Sequence, residues 1–304
     1  MHNDLYVLID IGGTAIKHGI ATLDGNLQER AELPTEAQEF GGPGIVQKVK
    51  KICSDALSKY GPQIKGVSIS TAGMVDPEQG KIVYALPDAI PDYTGVNFKE
   101  LISHDFNLPC EVENDVNCAA LGETWLGAGK GCHDVFCMTI GTSIGGAMIC
   151  EGKLVSGASN SAGEIAYMRV PGGMLHELAS TTHLVKHYAA LKGITGEGLK
   201  EVNGKRIFDE AESGDATAIA AIDDLVEHLS DGITNVVSVQ NPQAVILGGG
   251  IMARDAYLRP RLEAALKSKL RDIVFKATRI EFAQLRNDAG MLGGFYHFKQ
   301  RQGL

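Results

Sequence analysis

Two stretches of this chain follow the same plan. In the first, the apolar run Leu5-Tyr6-Val7-Leu8-Ile9-Asp10 leads into Gly12-Gly13-Thr14, an extended run from Ala15 to Thr22, and the turn Asp24-Gly25-Asn26. In the second, Val135-Phe136-Cys137-Met138-Thr139-Ile140 leads into Gly141-Thr142, then Gly145-Gly146-Ala147-Met148-Ile149 and the turn Glu151-Gly152-Lys153. Apolar runs of this length bounded by turn residues predict buried strands. Each pair is a hairpin with a glycine-rich bend, not a strand feeding a helix. The match needs a two-residue gap, and chance similarity is its rival. A duplication about 130 residues apart suits two related domains, which a 304-residue chain is long enough to fill.

The rest of the chain supplies the helices. Apolar residues at helical spacing predict a helix over 45–60, closed by Gly61-Pro62, and others over 117–126, 177–192, 216–240, 260–270 and 288–300. Strands are predicted over 64–70, 109–113, 244–247 and 279–283. Strands alternating with helices, opened by a hairpin in each half, give an α/β protein with a mixed sheet per domain. The expected division is 1–116 with 288–304 for the N-terminal domain and 117–287 for the C-terminal one.

Charge narrows the partners. Lys plus Arg number 28 and Asp plus Glu 37, a formal net charge of −9. That balance disfavours nucleic acid and anionic membrane, which select a basic face. No apolar run approaches the ~18 residues of a membrane span. Met1-His2-Asn3-Asp4 lacks the basic and apolar regions of a signal peptide. Cys53, Cys110, Cys118, Cys132, Cys137 and Cys150 include no Cys-x-x-Cys pair and read as reduced thiols of a cytoplasmic protein.

Glycine is in excess, 37 of 304 residues, against a usual ~7%. Three glycine-rich turns each follow an apolar strand: Asp10 to Thr14, Gly141 to Gly146, and Gly248-Gly249-Gly250. Turns of this kind can point backbone N–H groups into one concavity and bind phosphate. None matches the P-loop or the dinucleotide fingerprint. Asp10 ends a buried strand, where a carboxylate is costly unless partnered. It either orients hydrated Mg²⁺ on ATP phosphates or caps the following turn. Asp115, where a strand gives way to a helix, reads from its position alone as a helix N-cap.

Asp10-Ile-Gly-Gly-Thr-x-x-Lys17, Glu113-Asn114-Asp115-x-Asn117-x-Ala119-Ala120-x-Gly122-Glu123 and Ile140-Gly-Thr-x-Ile-Gly-Gly146 together resemble the ROK family of sugar kinases over nearly the whole chain. The resemblance implies the two-domain actin-like ATPase/sugar-kinase (ribonuclease H-like) fold, with ATP and sugar in an interdomain cleft. It also implies a homodimer contact in the second domain. The family's repressors carry an N-terminal DNA-binding extension. With the first strand starting by Leu5, that branch is not expected here.

The resemblance assigns the site residues. Mg·ATP would lie on Asp10 (through water to the metal), Gly12, Gly13, Thr14, Thr142, Gly249 and Gly250, with Lys17 near the phosphates. Asp115 becomes the general base that takes the proton from the attacking sugar hydroxyl. Aspartate is a weak base, ordinarily near pKa ~3.9, but phosphoryl transfer depends mostly on positioning and charge stabilisation. Gly73 lies beside the sugar, Asn114 would bond its hydroxyls, and Glu164 and Glu177 would accept hydroxyl protons. An alternative for Glu177 is a first-turn acid favoured by the helix dipole.

Two departures bear on the substrate. Tyr167 stands where most ROK kinases have a zinc-binding His, and Met168 to His176 contain no cysteine, so a structural zinc site is not expected there. His176, His183 and His187 share helical spacing and form a rival metal site on paper. The family's Asn-Leu-Pro-Gly-Trp segment becomes Ala85-Leu86-Pro87-Asp88-Ala89-Ile90-Pro91-Asp92-Tyr93-Thr94-Gly95. Both departures resemble the β-glucoside kinase branch, which phosphorylates the 6-hydroxyl of the non-reducing glucose of cellobiose-type disaccharides. The alternatives are a kinase for a free hexose or amino sugar (glucose, N-acetylmannosamine or fructose) and a catalytically silent sugar-binding regulator.

Overall fold

The computed structural model describes residues 4–304, so the reading of Met1-His2-Asn3 lies outside the described residues. The chain forms two compact units. One runs to Leu126 and includes Ser156–Ser161 and Asn287–Leu304; the other comprises Gly127–Val155 and Ala162–Arg286.

The first unit contains β1 (Leu5–Ile11), β2 (Ala15–Thr22), β3 (Leu27–Pro34), α1 (Ala37–Tyr60), β4 (Ile64–Thr71), β5 (Met74–Asp76), β6 (Lys81–Tyr84), α2 (Phe98–Phe106), β7 (Cys110–Asn114), α3 (Asp115–Leu126) and the C-terminal helix Ala289–Gln302. Its sheet has the order β3-β2-β1-β4-β7. β1 pairs antiparallel with β2 and parallel with β4, and β4 is parallel with β7.

Central β1 is covered on both faces, which explains its unbroken apolar run. Val7, Ile9 and Ile11 share a core with Ile45, Val49 and Ile52 of α1. On the opposite face Tyr6 packs against Phe295 of the C-terminal helix, ring centroids 4.9 Å apart. Asp10 follows Tyr6 and Leu8 on that face by the two-residue period of a strand. α3 meets the same helix so closely that a Cβ on Gly122 would lie 2.7 Å from the Ala289 carbonyl oxygen. All of α3 therefore belongs with the first unit, past the boundary expected at residue 116.

The second unit contains β8 (Val135–Ile140), β9 (Ile144–Cys150), β10 (Lys153–Leu154), β11 (Arg169–Val170), β12 (Gly173–Met174), α4 (Leu175–Ala179), α5 (Thr181–Lys192), α6 (Gly204–Glu212), α7 (Ala216–Gln240), β13 (Ala244–Gly248), α8 (Asp255–Lys269), α9 (Asp272–Ala277) and β14 (Arg279–Phe282). Its sheet order, β10-β9-β8-β13-β14, repeats that of the first: antiparallel through the opening hairpin, then parallel. The similarity between residues 7–26 and 135–153 is thus a repeat of topology.

Several boundaries differ from expectation. α1 begins at Ala37, ahead of residue 45, because Gly41 (φ 55°) and Pro43 interrupt its apolar period. The helix expected over 177–192 is two helices. Ser180 between them is extended, and its side chain accepts from His183 N at 3.1 Å. α8 starts at Asp255, with Pro260 inside it. β3 escaped the sequence reading because it is an edge strand carrying Glu29, Arg30 and Glu32. Among the described residues the six cysteines are free, five of them buried, and no helix is long and apolar enough to cross a membrane.

Candidate active site

In the first unit the expected site residues converge at the C-terminal edge of the parallel strands, where α/β sheets bind ligands. Asp10 stands level with Ser70 on β4, and Ser70 with Glu113 on β7. Ser70 Oγ donates to Asp10 Oδ1 at 2.7 Å. Lys17 is the residue directly opposite Asp10 on β2. Burial raises the Asp10 pKa, while the Ser70 bond and the Lys17 charge oppose that rise. The C-terminal helix approaches so closely that a Cβ at Gly290 would lie 2.5 Å from Asp10 Oδ1. Helix N-terminal amides there favour a carboxylate.

The loop after β1 is held at its base and open at its tip. Gly12 N donates to the Ala15 carbonyl at 3.0 Å, and Thr35 Oγ1 donates to the Gly12 carbonyl at 2.7 Å. Gly13 and Thr14 are exposed. A Cβ at Gly13 would meet nothing within 4 Å, and its φ is not positive. Neither crowding nor backbone conformation within the protein requires glycine there. A ligand approaching the backbone would.

Asn114 ends β7 and caps α3. Its Oδ1 accepts from Val116 N at 2.9 Å and Asn117 N at 3.1 Å, so the N-cap is Asn114 and not Asp115. Its Nδ2 donates to the Gly73 carbonyl at 2.9 Å and to Asp115 Oδ1 at 3.0 Å. Both lone pairs and both amide hydrogens are engaged. Asn114, expected to bond sugar hydroxyls, thus has its amide occupied within the protein, and it fixes Gly73 and Asp115 relative to each other. Gly73 adopts φ 100°, a conformation natural to glycine. Behind the cap, buried Glu113 accepts from Asn114 N and Asn117 Nδ2 at 2.7 and 3.0 Å, and burial raises its pKa. The Cys118 thiol is pushed well up, chiefly by burial and then by the Glu113 charge, with Asp10 and Asp115 adding smaller increments. Both aspartates are therefore within electrostatic reach of one buried atom.

The segment from Ala85 to Gly95 is anchored from beneath. Tyr93 is fully buried with its hydroxyl 2.6 Å from Thr71 Oγ1, and Thr94 Oγ1 accepts from Ala85 N at 3.0 Å. Tyr84 and Leu86 remain exposed.

The second unit presents the equivalent edge. Thr142 and Ser143 follow β8, while Gly249 and Gly250 follow β13; all four are exposed. Gly249 has φ 108°, and a Cβ there would lie 2.7 Å from the Ile140 carbonyl carbon. This close approach brings the two loops together. They border a pocket of about 810 Å³ lined also by Thr182, Lys186, Lys205 and Arg254. Thr182 Oγ1 donates to the Thr142 carbonyl at 2.8 Å. Gly250, like Gly13, has open space where a side chain would be. Lys205 and Arg254 are paired with Asp209, and Arg254 also with Glu212, so Lys186, which has no ion pair among the described residues, is the cation left to meet an anion in this pocket. Gly145 and Gly146, first read as phosphate contacts, are instead strand residues of β9. Gly146 is a packing glycine, because a Cβ there would lie 2.5 Å from the Gly163 carbonyl oxygen.

Glu164 and Tyr167 are both exposed, although partial burial of the Glu164 carboxyl raises its pKa. The Tyr167 ring sits edge-on to His176 at 5.3 Å. Glu177 lies in the first turn of α4, with Oε2 accepting from Met174 N at 3.1 Å. The first-turn alternative describes it directly. His176 is separated from His183 and His187 by the break at Ser180, so the three do not share one helix face.

Sequence reasoning missed Ser70, Tyr93, Gly290, Thr182 and Lys186. Ser70 and Thr71, hydroxyls in a buried strand, were a usable signal, since buried hydroxyls need partners and these find Asp10 and Tyr93. Thr182 and Lys186 sit on a helix whose start was hidden, and nothing local marks them.

A model described as the ROK family matches residues 6–301. An uncharacterized protein of Clostridium perfringens is 49% identical, over 97% of this chain and 98% of its own length. A β-glucoside kinase of Listeria monocytogenes is 33% identical, over 96% of this chain and 97% of its own. Among solved structures, a ROK family glucokinase from Streptomyces griseus in complex with glucose and AMPPNP superposes with a TM-score of 0.77 at 28% identity. It covers 95% of this chain and 97% of its own.

Proposed function

The chain belongs to the ROK family, and from that membership we propose that it phosphorylates the 6-hydroxyl of a glucosyl unit, carried by a β-glucoside disaccharide such as cellobiose. It is an ATP-dependent sugar kinase of the actin-like ATPase fold. The observation that carries the mechanism is Asp115 Oδ1, held by the same Asn114 nitrogen that holds the Gly73 carbonyl. A carboxylate held in place in this way can take the proton of a sugar hydroxyl as its oxygen attacks phosphorus. Asn114 acts as a positioning residue in this reading, because a bond to the sugar would cost it one of its four existing bonds.

In the first unit Gly13 and Thr14 offer backbone N–H groups to phosphate oxygens, beside Lys17, while Gly12, whose N–H is taken by the Ala15 carbonyl, shapes the loop that presents them. In the second unit Thr142, Gly249 and Gly250 do the same at the mouth of the pocket, whose Lys186 adds charge. Asp10 fits a magnesium ion held through water: its carboxylate is buried, raised in pKa, and partnered on one oxygen by Ser70. The ion would neutralise phosphate charge. Glu164 and Tyr167 are assigned to the sugar. Glu177 is assigned there with its free carboxylate oxygen only. A cytoplasmic homodimer belongs to the same reading.

Similarity to a β-glucoside kinase supports the disaccharide, and exposed Tyr84 and Leu86 of the first unit offer apolar surface against which a second sugar ring could lie. Similarity to a glucokinase favours free glucose as the second reading. ADP release measured with cellobiose, gentiobiose, glucose, fructose and N-acetylmannosamine separates them. The proposal expects kcat/KM for a β-disaccharide at least about tenfold above that for glucose, a difference of ~1.4 kcal/mol in the barrier, and a 6-phosphate by phosphorus NMR. The highest value for a free sugar contradicts the disaccharide. No turnover with any of them, despite ATP binding, points to a silent sugar-binding protein.

A further inference from the structure

Where Ser180 separates α4 from α5, it leaves His183 and His187 one turn apart on α5, their rings stacked with centroids 5.5 Å apart. Across from them, Asp224 and His228 are one turn apart on α7. Asp224 Oδ2 is 3.4 Å from His183 Nε2, 4.0 Å from His187 Nε2 and 3.7 Å from His228 Nδ1. Among the described residues these imidazoles are the only basic groups within 4.0 Å of that carboxylate.

The two α5 separations are long for hydrogen bonds, which favour 2.7–3.2 Å. They suit a different arrangement. Zinc holds imidazole nitrogen and carboxylate oxygen at roughly 2.0–2.2 Å in a tetrahedron, which places neighbouring donor atoms about 3.4 Å apart. One donor atom each from His183, His187 and Asp224 lies within 4.8 Å of the others. All three side chains are partly exposed, so an ion has access from solvent. His228 Nδ1 also lies 3.0 Å from the Asp224 backbone carbonyl, which fixes that ring behind the carboxylate.

We propose that His183, His187 and Asp224 bind one divalent transition-metal ion of the zinc class, tying α5 to α7 with a fourth position left to water. Two imidazoles and a carboxylate are ligands that zinc, cobalt and nickel accept, and that magnesium and calcium, which select oxygen, do not favour. The set differs from the one on paper in the sequence: Asp224 replaces His176, which lies on α4 against Tyr167.

The test uses the full-length protein, treated with chelator, dialysed, and titrated with Co²⁺ and then Zn²⁺ in the absence of nucleotide. The site predicts saturation at one equivalent, a visible cobalt spectrum of the tetrahedral type, loss of that spectrum on zinc addition, and a rise in Tm with metal. His187→Gln and Asp224→Asn should each weaken binding at least tenfold and abolish the metal-dependent rise in Tm, each judged against its own metal-free melt. His176→Gln should leave both unchanged. Absence of saturable binding by either ion overturns the site, as does unaltered affinity in His187→Gln and Asp224→Asn.

Discussion

Asn114 Nδ2 donates to Asp115 Oδ1 at 3.0 Å while bonding the Gly73 carbonyl at 2.9 Å. That amide nitrogen, together with Val116 N, which donates to the same Asp115 oxygen at 2.9 Å, therefore helps set the position of the proposed base, and the oxygen of the same amide caps the helix that Asp115 begins. Asn114→Ala removes both services. It should cost about 1 kcal/mol of stability through the lost cap and lower kcat by roughly 10- to 100-fold through a mobile base. Asn114→Asp keeps an N-cap oxygen but loses the donor. It should recover most of the Tm and little of the kcat. Recovery of kcat along with Tm would mean that Asn114 acts only as a cap.

Asp10 is a charged group that burial disfavours and Ser70 and Lys17 favour. A carboxyl whose folded pKa is raised contributes stability at low pH that is lost as pH rises through the folded value. Asp10→Asn should then leave neutral-pH stability unchanged or slightly improved. Meanwhile kcat/KM for Mg·ATP should fall about 100-fold, ~2.7 kcal/mol, with the sugar Kd unaltered. Calorimetry on both ligands checks the separation. An equal loss of sugar affinity would count against a nucleotide role.

Gly250 and Gly249 make a controlled pair. A Cβ at Gly250 meets nothing within 4 Å, whereas one at Gly249 collides with the Ile140 backbone at φ 108°. Gly250→Ala should keep its Tm and raise KM for ATP about tenfold, because only the ligand meets the new methyl. Gly249→Ala should lose both stability and ATP affinity. A normal KM in Gly250→Ala would remove that glycine from the nucleotide contacts.

His297 on the C-terminal helix is buried, with Nε2 unpartnered among the described residues. Burial, with Arg301 and Lys99 opposing a further charge and Glu78 partly offsetting them, lowers its pKa to about 4. The unfolded imidazole titrates near ~6.5. Below that value the unfolded chain binds more protons, so this stability is complete above pH ~6.5 and is lost as pH falls through about 4. The loss is on the order of 3 kcal/mol. In urea melts from pH 7 to 4, His297→Leu should show a shallower decline than the parent. Parallel curves would contradict the assignment.

What the sequence disclosed follows from what is local. The strand at Leu5 and the carboxylate near its end are contiguous letters. The repeat at 135–153 was visible because both copies kept the same turn chemistry. Asn114 as cap was not, since the next residue is an equally good capping type and only the backbone decides between them. Glu177 reads the same whether its carboxylate meets a sugar or Met174 N. The partnership of Asp224 with His183 joins two helices whose packing no local pattern encodes. Gly146 and Gly163 touch through backbone alone, so their spacing carries no sign of the contact.

The central claim is that Asp115 takes the proton from the sugar hydroxyl. Turnover and sugar binding measured on Asp115→Ala test it most directly, by quenched-flow transfer from ATP and by calorimetry with the best sugar. The account predicts a fall in kcat of about 10²- to 10⁴-fold, the contribution of a positioned general base, with sugar Kd within about threefold of the parent. Full activity in Asp115→Ala, or a loss confined to KM, would contradict it.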